Sequence, residues 1–115
     1  MSVDVANALF DDIVEDLGPR GVLSGALFGA RSLTFDGTAF ACLKGGRLAV
    51  KLGAGSPVYA EALALPDGEL FDPSGKGRPF KDWVAIAASQ TAVWPQYAEA
   101  GLNALAGTRL MGDGA

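Results

Sequence analysis

The sequence predicts an α+β protein in which helices pack against one antiparallel β-sheet in two layers. Apolar residues recur at helical spacing near the N-terminus, the period changes to two between residues 22 and 52, and helical spacing returns after Gly53. The chain has 115 residues, half of them hydrophobic, which is enough to bury one core. We therefore expect a single domain over residues 1–107 and a flexible tail over residues 108–115.

The first predicted element is an amphipathic helix. Its apolar residues recur every four positions, and Gly18-Pro19 follows them as a helix terminator. The acidic residues between them are typical of a solvated helix face, which we favour over a cation site. The apolar positions are Val5, Leu9, Ile13 and Leu17, and the acidic ones are Asp11, Asp12, Glu15 and Asp16.

An antiparallel meander follows the first helix. Asp36-Gly37 and Gly45-Gly46 each lie between apolar runs and are typical of two-residue hairpin loops. The second loop fixes a register in which one sheet face is apolar and small enough at its centre for a helix to approach. The expected pairs are Leu43 with Leu48, Ala41 with Val50, and Ala39 with Leu52.

The opposite face of the meander is predicted to be only partly polar. A sheet that faces water shows a cleaner alternation, so this face is either covered by further helices or meets another molecule. The register places Leu33 beside Phe40, Cys42 beside Ala49, and Phe35 at the Asp-Gly turn. We take Leu33, Phe35, Phe40 and Cys42 as a candidate interface with a second copy or a protein partner.

The second half of the chain predicts a short helix, two strands and a last helix. Ser56 is an N-cap candidate before Pro57, and the helical run extends to Pro66. Short strands are expected at Leu70-Phe71 and over residues 83–87. The last helix begins near Thr91 or Pro95 and ends at Gly107, with Trp94, Ala98, Leu102 and Leu105 on one face. The predicted order is α-β-β-β-β-α-β-β-α.

The segment from Asp72 to Trp83 is the strongest candidate for a ligand site. Its glycines expose backbone amides and its cations supply further donors, a combination that could hold a phosphate or carboxylate. It is not a Walker loop, because the lysine lacks the following Ser or Thr and the glycine spacing differs. A loop between strands would need the same glycines for geometry alone, so both interpretations stay open. The residues are Gly75, Lys76, Gly77, Arg78 and Lys81.

Three other residues could carry chemistry. Trp83 and Trp94 could stack on nucleic-acid bases, but each lies in an apolar run, which favours the core. Cys42 could be a redox thiol, although a buried or interface thiol is the commoner case. We favour the structural interpretation for all three.

Composition excludes several classes of function. The chain has no histidine and one cysteine, which argues against zinc, a disulfide and a histidine-assisted nucleophile. We expect no enzyme, no cofactor and no metal. The acidic N-terminus does not resemble a secretory signal and no run is long enough to cross a membrane, so we expect a cytoplasmic protein. The net charge of −4 argues against general polyanion binding, but residues 19–51 are locally basic and leave nucleic-acid binding as an alternative.

Four segments together resemble the N-terminal domain of the TfoX/Sxy family. They are ALFGARSLTFDGTAFACL at 26–43, RLAVKL at 47–52, FDPSGKGRPFKDWVAI at 71–86 and VWPQYAEAGLNAL at 93–105. The resemblance implies a fold similar to type III secretion chaperones, a bacterial origin and a link to the regulation of natural competence. It supplies no catalytic residues. We expect this domain to stand alone, without the family's C-terminal helical domain.

The expected function is that of a non-enzymatic regulatory or protein-interaction module, acting as a homodimer or with a protein partner. Two alternatives remain open at the level of the sequence. One is a domain that binds a small anion or nucleotide through the Gly75–Lys81 loop. The other is an accessory nucleic-acid-associated competence regulator.

Overall fold

Over residues 3–113 the protein is an α+β domain of three helices on a six-stranded antiparallel sheet. The computed structural model describes the backbone of residues 3–113 and the side chains of residues 4–108. The predicted order of elements is confirmed. The elements are α1 (Val3–Leu17), β1 (Val22–Leu27), β2 (Ala30–Phe35), β3 (Thr38–Lys44), β4 (Arg47–Lys51), α2 (Pro57–Leu63), β5 (Glu69–Leu70), β6 (Trp83–Ile86) and α3 (Trp94–Asp113), with short 3₁₀ turns at Gly18–Arg20 and Ala88–Val93.

The sheet has the strand order β1-β2-β3-β4-β6-β5. Its first four strands form the predicted meander, in which Ala41 pairs with Val50 and Leu43 pairs with Leu48. Both predicted hairpin loops have positive φ at their two central residues, which is the conformation that suits tight hairpins. β4 ends at Lys51, so the third expected pair, Ala39 with Leu52, lies beyond the ladder.

A β-bulge between β2 and β3 changes which side chains share a face. Leu33 pairs with Ala41, but the next residue, Thr34, pairs with Ala39, so Phe40 is the additional residue of β3. The predicted juxtaposition of Leu33 and Phe40 on the open face is therefore wrong. Both side chains lie in the main core under the helices, 0% and 1% exposed.

The buried stripe of α1 differs from the predicted one in its first half. A constant four-residue spacing drifts around a helix of 3.6 residues per turn, and the structure follows the helical period instead. Val5 is 48% exposed and Leu9 is only partly buried. The buried residues are Ala6, Phe10, Ile13 and Leu17, while the acidic side chains of the helix are exposed as predicted.

Helices α2 and α3 complete the layer on the sheet. Ser56 caps α2 as predicted, with its hydroxyl accepting from the backbone N–H of Tyr59. Tyr97 of α3 donates to Glu61 of α2 over 2.9 Å. Within residues 3–113, no helix is both long enough and apolar enough to cross a bilayer.

The last helix is longer than the sequence predicts. It begins at Trp94 and presents the expected face to the core, but it continues through Gly107 to Asp113. Gly107 does not take the left-handed conformation that commonly ends a helix. The part of the predicted tail that falls on residues 108–113 is thus helical, and residues 114 and 115 lie outside the described residues.

Candidate interaction surface

The face of the sheet that points away from the helices is partly covered by an aromatic cap, which we define as Phe28, Phe71, Phe80 and Trp83. These rings come from the turn between β1 and β2, the segment that joins β5 to β6, and β6 itself. Beneath them lies a row of small residues that pair across neighbouring strands. The row consists of Ser32, Cys42, Ala49 and Ala85, all buried.

The rings of the cap touch one another in tilted and edge-to-face arrangements. Phe71 lies at the centre, with its ring centroid 5.8 Å from Trp83, 6.0 Å from Phe28 and 6.2 Å from Phe80. Phe28 and Phe80 are in edge contact at 5.1 Å. Such pairs are favourable beyond the area they bury. The cap therefore fixes the connecting segment on the sheet.

The cap also leaves apolar surface in contact with solvent. Phe71 and Trp83 are 5% and 8% exposed, whereas Phe28 and Phe80 are 40% and 37% exposed. Phe28 has a φ of 55°, a conformation that a bulky residue rarely adopts. The turn thus holds a large apolar ring at the surface.

Backbone hydrogen bonds hold the connecting segment at both ends. The N–H of Phe71 donates to Trp83 O, and the N–H of Phe80 donates to Phe71 O over 2.8 Å. Near β6, the Tyr59 hydroxyl of α2 donates to Lys81 O. These bonds place the ends of the loop and leave its middle to be ordered by its own side chains.

The middle of the loop is ordered around Asp72. The Asp72 carboxylate accepts hydrogen bonds from the Ser74 hydroxyl at 3.0 Å and from the backbone N–H groups of Gly75 and Gly77 at 3.0 and 2.9 Å. Desolvation is the largest single influence and acts to raise the pKa of Asp72, but these bonds, with one from the amide of Arg78, together outweigh it and lower that pKa below its ordinary value. The loop binds a carboxylate of its own.

This arrangement bears directly on the predicted anion site. The two amides on which that prediction relied, those of Gly75 and Gly77, already donate to Asp72. The remaining predicted residues, Lys76, Arg78 and Lys81, are exposed at the surface of the loop. The loop's glycines are explained by geometry, since Gly75 and Gly77 both have positive φ.

The structure separates the four residues of the predicted interface. Leu33 and Phe40 lie in the helix-covered core and Phe35 is partly buried against it. Cys42 is on the other face, under the aromatic cap, and is fully buried. These four residues do not form one open surface, because the bulge turns Phe40 inward and the cap covers Cys42.

Cys42 lies in an apolar environment that suppresses its reactivity. Burial raises the pKa of its thiol to about 11, and the nearby Lys44 offsets this only in part. Its cross-strand neighbour Ser32 has a buried hydroxyl with no hydrogen-bond partner among the described residues. Trp83 and Trp94 are also buried, as the sequence favoured, and the indole N–H of Trp94 donates to Ala87 O.

Three cations of the predicted basic hairpins, Arg31, Lys44 and Arg47, are engaged within the protein. Arg31 pairs with Asp11 at 2.5 Å and lies over the ring of Phe10. Arg47 pairs with Glu69 at 2.7 Å, and Lys44 donates to Phe28 O. These contacts reduce the positive charge that the hairpins present to a polyanion. A groove of about 250 Å³ lies elsewhere, between α3 and the ends of β3 and β4, with Lys51 at its rim.

The sequence pattern does not predict the two exposed rings or the open edge strand beside them. The family resemblance implies a turn at Phe28-Gly29, but nothing in the sequence predicts that the Phe28 ring is exposed there, because a phenylalanine at positive φ is not a turn signal. Leu23 of β1, 68% exposed, was likewise not singled out. One feature of the sequence does indicate an apolar surface in this region: residues 21–30 contain no charged side chain. No protein-family model matches the sequence, and no curated protein matches it.

Proposed function

We propose that this chain is a non-enzymatic protein-interaction module of the TfoX N-terminal domain type, which acts by binding another protein chain through the aromatic cap. The observation that carries the proposal is the exposure of Phe28 and Phe80, whose rings are in edge contact above the buried rings of Phe71 and Trp83. Aromatic side chains that are held in place and partly exposed are typical centres of protein interfaces.

The two alternatives have weaker support. Anion binding by the Gly75–Lys81 loop would have to displace the Asp72 carboxylate from the amides it already occupies. Nucleic-acid binding would rely on hairpin cations such as Arg31 and Arg47, which are paired with acidic side chains.

A site-specific photo-crosslinking experiment tests the proposal. A photoreactive phenylalanine analogue replaces Phe80 in the full chain, produced in cells of the source organism, and the covalent products are identified by mass spectrometry. The matched control carries the analogue at Gln96, which is exposed on the helical side of the protein. We expect protein adducts from position 80 and few from position 96. Equal labelling at both positions, or no protein adduct from either, would contradict the proposal.

A further inference from the structure

β1 is an edge strand without the features that usually protect a sheet edge. Residues 22–27 contain no charge and no proline, and β1 pairs with β2 without a register shift. The opposite edge strand, β5, is two residues long and carries Glu69 in an ion pair. Short length and charge both discourage the addition of a further strand. Of the two edges of the described sheet, β1 is therefore the one that can pair with an additional strand.

The hairpin turn determines which backbone groups of β1 point outward. Phe28 and Gly29 both have positive φ, so Leu27 and Ala30 close the hairpin as a hydrogen-bonded pair. Hydrogen-bonded and non-bonded pairs alternate along antiparallel strands. Ser24 and Ala26 accordingly direct their N–H and C=O groups away from β2.

The side chains of β1 add an apolar strip to this edge. Leu27 packs on the small residues beneath the aromatic cap, and Leu23, four positions earlier, lies on the same face of the strand. Leu23 is 68% exposed and is the most exposed large hydrophobic residue of the described chain. Because Phe28 follows Leu27 directly, the strip is continuous with the aromatic cap.

We propose that β1 pairs antiparallel with β1 of a second copy of this chain, around a two-fold axis at Gly25. In this register Ser24 lies opposite Ala26 of the partner subunit, and the two residues exchange both of their outward hydrogen bonds. Leu23 lies opposite Leu27 of the partner subunit on the face that carries the cap. The inference rests on the proposed function and names a second copy of this chain as its partner.

The uncharged edge at β1 can accommodate a second copy of this chain. The chain has a net charge of −4, so two copies repel each other over most orientations. Residues 21–30 carry no charged side chain. Two identical copies that meet along this edge therefore do not place like charges opposite each other. Two-fold pairing is also self-complementary. Each copy supplies both Leu23 and Leu27, and in the proposed register Leu23 of each copy lies opposite Leu27 of the other.

Sedimentation equilibrium of the purified full chain, from micromolar to millimolar concentration, tests the inference. We expect the wild type to show a concentration-dependent equilibrium of monomer and dimer. Ser24→Pro removes an outward N–H from each copy and leaves the bonds to β2 intact, because proline is tolerated where the N–H faces solvent. We expect it to raise the dissociation constant about thirtyfold. Ser24→Ala, which keeps the N–H, should match the wild type.

A second pair of variants serves if Ser24→Pro does not fold. Leu23→Lys places like charges in the interface, whereas Leu70→Lys alters an exposed leucine on the opposite edge of the sheet. We expect only the former to weaken dimerisation. A wild type that stays monomeric throughout, or edge variants that dimerise as the wild type does, would overturn the inference.

The two proposals can fail separately. A monomeric wild type whose position 80 cross-links to a different protein would remove the second copy as partner and leave the proposed function standing. A dimer that the β1 variants break, without adducts from position 80, would keep the edge pairing and remove the aromatic cap as a binding surface.

Discussion

At the scale of single residues, Gly101 sets how closely α3 approaches the sheet. A Cβ atom at this position would lie 2.5 Å from Val50 Cγ1 and 3.3 Å from Phe40 Cδ2. The sequence suggested that small residues in the sheet, such as Ala41, would allow the close approach. The structure shows that a small residue on the helix is also required, directly above the bulged Phe40.

A pair of glycine substitutions in α3 tests this contact. Gly101→Ala should lower the free energy of unfolding by about 1–2 kcal/mol, because overpacking a stiff β-branched neighbour outweighs the gain in helix propensity. Gly107→Ala, in the same helix with no atom within 4 Å of the added methyl group, should raise it by about 0.5–1 kcal/mol. Urea denaturation measures both. Stabilisation by both variants would show that α3 does not lie this close to the sheet.

At the scale of elements, the segments with local signals were predicted well. The hairpin loops at residues 36–37 and 45–46 and the Ser56 cap of α2 all depend on a few adjacent residues, and all are confirmed. The loop between β5 and β6 is different. Its glycines indicated a bend, but the group that orders it, the Asp72 carboxylate, acts through hydrogen bonds that no sequence pattern identified.

Substitution of Asp72 should loosen this loop. Because the folded pKa of Asp72 is lowered, the ordering it provides is present above the ordinary pKa of an aspartate and is lost as the pH falls through the folded value. Asp72→Asn should reduce the protection of the Gly75 and Gly77 amides from hydrogen exchange at neutral pH and abolish the pH dependence of that protection.

Exchange measured by NMR at several pH values, with Glu99→Gln on α3 as the control, provides the comparison. Protection factors that do not differ between Asp72→Asn and the wild type would show that the carboxylate does not order the loop.

At the scale of the whole molecule, the aromatic cap joins segments that are distant along the chain. Phe28 comes from the first hairpin, and Phe71 and Phe80 come from the loop that crosses back over the sheet. The sequence predicts either further helices or another molecule on this face. An irregular segment covers part of it instead, and its outer rings remain exposed.

The position of each ring in the cap predicts its contribution to stability. Phe71→Ala should lower the free energy of unfolding by about 3–5 kcal/mol, because this buried ring contacts the other three. Phe80→Ala should cost less, about 2–3 kcal/mol, because Phe80 is 37% exposed whereas Phe71 is 5% exposed. Urea denaturation of the two variants tests the order. Equal losses would show that Phe80 is as deeply packed as Phe71.

The sequence by itself determined the order of the elements and the meander register around Ala41 and Val50, and it favoured the burial of both tryptophans. These features follow from the period of apolar residues and from turn residues, which act over a few positions. The tertiary structure decided the faces of Leu33 and Phe40, the exposed pair Phe28 and Phe80, and the open edge at β1. A bulge shifts a register by one residue, and an exposed ring depends on which distant segments pack beneath it. Neither is encoded in a local pattern, because both arise from contacts that exist only after the sheet has formed.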